Sequence, residues 1–212
     1  MDSLLKLLET ATTTPLSQER VVNGRIAQSE AGGNVDQLEA LLKRRNGFYA
    51  FGAALHVFPL DPASYGYGLS EWNARDLWKC EYKRLSGDML CFAEDAFGDQ
   101  FAIQSDQIVR FVSEEGRCDP FAGSLDEWAA RILADPAVET GYPLLSEWQS
   151  ANRCIDPSER LHPTIPFITG GKYEIGNLHA LDAATGMKLY GEVDRQIGDI
   201  PDGSVVRLKV GD

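Results

Sequence analysis

Carboxylates are the side chains through which this 212-residue chain could most readily do chemistry. Glu94, Asp95 and Asp99 fall close together, and the pair Glu114 and Glu115 follows 15 residues after Asp99. Neighbouring carboxylates can divide acid and base roles between them or hold a divalent cation. The spacing of Asp95, Asp99 and Asp106 does not reproduce the alternating oxygen ligands of an EF-hand loop, and acidic turns between strands are common. These acids therefore read first as solvated turns, then as a protein-docking surface, and last as a metal or catalytic site. His56, His162 and His179 are scattered and form no HExxH or other short ligand spacing. No GxSxG elbow occurs, and the serines at helix starts are used in capping. Gly170-Gly171-Lys172 lacks both the earlier glycine and the following hydroxyl of a phosphate loop. Cys80, Cys91, Cys118 and Cys154 are separated by 11, 27 and 36 residues, so no CxxC pair marks a zinc or redox site. The expectation is a protein without enzymatic activity, catalytic residues, cofactor or metal.

Charge gives the acids a second meaning. The net charge is -12, and residues 88–139 hold 12 acidic against 3 basic side chains, so nine of those negative charges lie in one quarter of the chain. Such a concentration predicts a negative face that attracts a basic partner and repels nucleic acid. No basic run exceeds Lys43-Arg44-Arg45, which removes the electrostatic footprint of a DNA or RNA binder. Asp2, Lys6 and Glu9 interrupt the first leucines, and no later stretch is long and apolar enough to cross a bilayer. The expected compartment is the cytoplasm, with the thiols reduced and no membrane association.

The elements that must position these acids follow from periodicity. Residues 3–9 predict a short amphipathic helix, and 11–33 show little pattern beyond a short strand at 20–27. Asp36 to Glu39 has capping-box spacing and predicts a helix with Leu38, Leu41 and Leu42 on one face, ending at Asn46-Gly47. Strand-forming runs occupy 48–51 and 53–59, and Ser70 opens a helix carrying Trp72, Leu77 and Trp78. From Met89 the period changes to two, predicting antiparallel strands at 89–93, 100–104 and 108–112. Ser124 and Glu127 then form a capping box for a helix to Ala134, and a further helix spans 143–153. The tail predicts a strand at 177–182, a turn around Ala184 to Gly186, and a strand at 204–210 after Pro201-Asp202-Gly203.

The order of a capped helix, a 48–59 strand run, CFAEDAFGDQFAI, IVRFVSEEG and SLDEWAARI resembles the SUKH superfamily, the Smi/Knr-like domains, over roughly residues 30–135. Phe92, Glu94, Asp95, Gly98, Phe101, Val109, Ser124, Leu125 and Trp128 occupy the family's strand, acidic-turn and helix positions. Residues 163–203 are similar to a C-terminal extension of many bacterial members. The resemblance implies an α+β fold, a bent antiparallel sheet with flanking helices, joined here by a small β-rich C-terminal subdomain. The expected organisation is an N-terminal helix and arm at 1–33, the SUKH-like domain at 34–155 and the extension at 156–212. Many bacterial members are immunity proteins that neutralise toxin domains, often nucleases, and fungal relatives are cell-wall and signalling scaffolds. The expected function is therefore a module that blocks a basic toxin domain, with a scaffold or a small-ligand binder as alternatives. Glu94, Asp95, Asp99, Glu114 and Glu115 are the expected partner-binding rim, and Phe97 and Phe121 the candidate aromatic anchors.

Overall fold

A computed structural model describes residues 2–12, 26, 32–61, 66–83, 85, 89–198 and 200. The expected strand at 20–27, apart from Ile26, and the expected turn and strand at 201–210 lie outside the described residues. The chain is an α+β protein whose centre is a six-stranded antiparallel sheet in simple sequence order. Its strands are β1 (Phe48–Ala50), β2 (Leu55–Val57), β3 (Leu90–Glu94), β4 (Gln100–Gln104), β5 (Gln107–Val112) and β6 (Arg117–Ala122). The alternation seen from Met89 onward places β3, β4 and β5 within a residue or so of expectation.

Strand β6 is not visible as a periodic run because RCDPFA carries a charge, an acid and Pro120. Among the described residues β6 is the last strand in the order, paired on one side with β5, a position that tolerates the missing N–H of Pro120. The register with β5 shifts between Ile108 and Val109, beside the Pro120 pairing. At the other edge, β1 is partly covered by a bridge from Ala11 and by the Thr12 amide, which donates to the Tyr49 carbonyl at 2.8 Å.

Helices α1 (Asp2–Glu9), α2 (Gly33–Arg44) and α4 (Leu125–Ala134) bury leucines and Trp128 in the main core together with the sheet. Helix α4 begins as its sequence predicts, with Ser124 Oγ accepting from the Glu127 amide and Glu127 accepting from the Gly123 amide. Helix α2 starts at Gly33, ahead of the expected Asp36, because its cap comes from elsewhere: Asp106, in the β4–β5 turn, accepts from the amides of Gly33 and Asn34. The segment from Ser70 forms only a single helical turn, α3 (Leu69–Trp72), which nonetheless buries Trp72 completely.

Helices α5 (Pro136–Thr140) and α6 (Tyr142–Ala151) lead to a two-stranded sheet of β7 (Glu159–Pro163) and β8 (Leu178–Asp182). The strand expected at 177–182 is β8, whereas the turn expected around Ala184 to Gly186 is the start of a 15-residue helix, α7 (Ala183–Ile197). Asp182 caps it by accepting from the Thr185 amide at 2.9 Å. Ala183, Ala184, Met187 and Tyr190 of α7 belong to the main core, so the C-terminal part packs into the same interior as the large sheet.

Candidate functional site

The turn from β3 to β4 is built around the Asp95 carboxylate. Its Oδ1 accepts from the amides of Phe97 at 2.8 Å and Asp99 at 3.0 Å, while Gly98, at φ 86°, supplies the left-handed residue that closes the turn. Arg110, on β5, faces the same turn. Its Nη2 lies 2.6 Å from Asp95 Oδ2, its Nε 3.2 Å from Asp99 Oδ2, and its Nη1 3.3 Å from Glu139 Oε2 on α5. One guanidinium therefore joins three carboxylates from two elements, and it also lies 5.6 Å from the centre of the Phe101 ring.

Beyond β5, the Asp99 carboxylate accepts from the Ser113 amide, and Ser113 Oγ donates to the Gly98 carbonyl at 2.7 Å. The adjacent Glu114 accepts from the amides of Phe167 at 3.2 Å and Ile168 at 2.9 Å, fixing a 3-10 turn (Phe167–Thr169) against the sheet. Phe167 stacks on Tyr173 with ring centres 3.8 Å apart, and Phe97 meets both rings edge-on. Between the acidic turn and this aromatic group lies an open cleft of about 420 Å³. Its rim carries apolar side chains that face solvent, Tyr173 at 68% and Val138 at 69% exposure.

Of the seven residues expected from sequence, the cleft gathers five: Asp95, Phe97, Asp99, Glu114 and Glu115. They are not all rim residues. Asp95 is buried on the floor against Arg110, Glu114 is buried against backbone amides, and Asp99 and Glu115 are half-buried. Burial and the neighbouring Asp99 push the Asp95 carboxyl up to about 7, against the pull of Arg110 and the Phe97 and Asp99 amides. Burial likewise raises Glu114, although its two amide donors work the other way.

Two expectations are corrected. Glu94 cannot serve as a partner-facing acid because it is buried at the end of β3, 3.0 Å from His56 Nδ1 and 2.6 Å from Arg160 Nη2. Although burial opposes it, Arg160 and the His56 hydrogen bond hold its carboxyl below the usual range, while burial lowers His56 to about 4. Phe121 is likewise buried, edge-on to Phe101 and covered by the Arg131 guanidinium at 4.1 Å. It lies outside the cleft lining.

Sequence reading missed Arg110, Phe167 and Tyr173. Arg110 left a signal, a lone cation inside the apolar run of β5, which needs acids opposite it to be tolerated there. Phe167 and Tyr173 left none, since a segment rich in proline and glycine does not say which wall its rings will cover. Among the described residues, no group of three or more His, Cys, Asp or Glu side chains is arranged to hold a metal ion, and no helix is long and apolar enough to cross a membrane.

The fold and cleft define an α+β protein with a meandering antiparallel sheet and an acidic cleft at one of its turns. No family model matches the chain, and no curated protein sequence matches it. Among solved structures, the chain is similar to the crystal structure of Atu4351 from Agrobacterium tumefaciens, with 14% identity, a TM-score of 0.56, and coverage of 87% of this chain and 86% of that one. At this identity the likeness extends to the fold alone.

Proposed function

We propose that this chain is a non-enzymatic protein-binding module of the SUKH type, a cytoplasmic immunity protein that neutralises a basic toxin domain. The observation that carries the reading is the cleft, where Asp95, Asp99, Glu114 and Glu115 meet solvent-facing aromatic and aliphatic side chains. Protein interfaces combine these two features: apolar anchors supply binding energy, and complementary charge supplies encounter rate and orientation. The excess of nine negative charges in residues 88–139 extends the field beyond the cleft and favours a partner with a positive groove, as a nuclease domain has. The motifs running from Phe92 to Trp128 support the same family reading.

Affinity capture of the tagged full chain from its native cells, at low and high salt, with mass spectrometry of the retained proteins, tests this function. The expected result is one basic polypeptide near stoichiometry whose association weakens as salt rises. Retention of several abundant proteins regardless of salt, or of none at either salt, rejects it.

A further inference from the structure

The cleft is electrostatically incomplete. Four carboxylates line it; Glu115 pairs with Arg117 at 2.9 Å, and Arg110, the one cation among the described lining residues, is already engaged by Asp95, Asp99 and Glu139. Glu114 has amide donors from Phe167 and Ile168 and no cationic partner among the described residues. Above it, one face of the Tyr173 ring is occupied by Phe167, and the residue remains 68% exposed. Burial raises the carboxyls of both Asp95 and Glu114, and the neighbouring negative charge of Asp99 adds to it at each.

We propose that this cleft docks an arginine side chain projecting from a protein partner, with its guanidinium placed between the carboxylates of Asp99 and Glu114 and the open face of Tyr173. The inference rests on the protein-binding reading and specifies what the partner must present. Arginine suits the site better than lysine on two physical grounds. A planar guanidinium can pair with carboxylates through several N–H groups while lying flat on an aromatic ring, whereas an ammonium is a compact, strongly hydrated point charge. Arg110 shows the same chemistry within the chain, bridging three carboxylates next to the Phe101 ring. The cleft volume of about 420 Å³ leaves room for one long side chain together with the apolar residues beside it.

The test is calorimetric titration of the full chain with a short acetylated and amidated peptide carrying one arginine between leucines. Its citrulline and lysine counterparts and free L-arginine are titrated in parallel. The arginine peptide should bind about tenfold or more tightly than the citrulline peptide, which keeps the shape and loses the charge. It should also bind more tightly than the lysine peptide and free arginine. Tyr173→Ala, at an exposed position, should weaken arginine-peptide binding severalfold with an unchanged circular dichroism spectrum, and Glu114→Gln should weaken it further. Equal binding of the arginine and citrulline peptides, no binding by any peptide, or indifference to Tyr173→Ala overturns the proposal. Free arginine binding as tightly as the peptide also overturns it, in favour of a small-ligand site. The two readings can fail separately. A captured basic partner whose binding ignores both variants removes the arginine cleft and leaves toxin neutralisation standing. Peptide discrimination combined with empty capture does the reverse.

Discussion

At the scale of single residues, the strongest constraints are buried charges and imidazoles whose partners come from distant parts of the chain. Arg160 is 1% exposed and lies 2.6 Å from Glu94, which is equally buried. Removing the guanidinium leaves a carboxylate without its main counter-charge in the interior, so Arg160→Ala should cost about 3–5 kcal/mol of unfolding free energy in urea titrations. A loss within the range of a surface substitution would refute that role. His162 is also buried, lowered to about 3 chiefly by burial and by the positive field of His179, and His56 is lowered to about 4. Both folded-state values lie below 6.5, so the unfolded chain takes up protons first, and stability falls as pH drops from about 6.5 towards 4. Asp95 acts oppositely: with its carboxyl raised to about 7, the folded state keeps a proton that the unfolded chain releases, which stabilises as pH falls below 7. Comparing His162→Gln with the parent isolates one imidazole. Its stability should fall less steeply over that window, by about 1.4 kcal/mol per pH unit, and parallel curves from the two proteins would contradict the assignment.

At the scale of elements, α7 and α2 show how distant contacts override local signals. Glycines at 186 and 191 lie inside α7, and the first of them belongs to the turn expected around Ala184 to Gly186. In the fold they mark close approaches: a methyl group at Gly186 would overlap the His162 ring, and one at Gly191 would press on Glu81. Helix propensity alone makes Gly186→Ala stabilising by about 1 kcal/mol. Overpacking against a buried ring reverses the sign, and a net loss of about 1–3 kcal/mol is expected in thermal unfolding; a raised melting temperature would show that the ring can move aside. Helix α2 presents the complementary case, since its first amides are capped by Asp106, 73 residues from Gly33, where no local rule could place the cap. Asn34 in turn accepts from the Leu125 amide at the start of α4, so the two helix starts are tied together.

At the scale of the whole molecule, the segment after residue 155 completes the interior. Leu161 donates its amide to the Ala96 carbonyl, Trp148 donates its ring N–H to the Leu178 carbonyl, and Met187 and Tyr190 lie in the main core. Each large side chain uncovered by truncation forfeits about 1.5–3 kcal/mol, against a typical total stability of about 5–15 kcal/mol. A chain ending at residue 155 should therefore lose cooperative unfolding and the near-ultraviolet dichroism of its packed tryptophans; a sharp transition would show that residues 34–155 fold independently. By itself the sequence determined strands β3 to β5, the capped start of α4 and the acidic stretch, because periodicity, capping chemistry and charge act over a few neighbouring residues, while the α+β class was what the family resemblance implied. Only the tertiary structure decided that Glu94 turns inward to Arg160 while Asp95, its neighbour, meets Arg110, and that Phe167 and Tyr173 come to face the acids. Burial and pairing depend on what other segments bring to a position, and those segments are separated here by dozens of residues that local pattern does not connect.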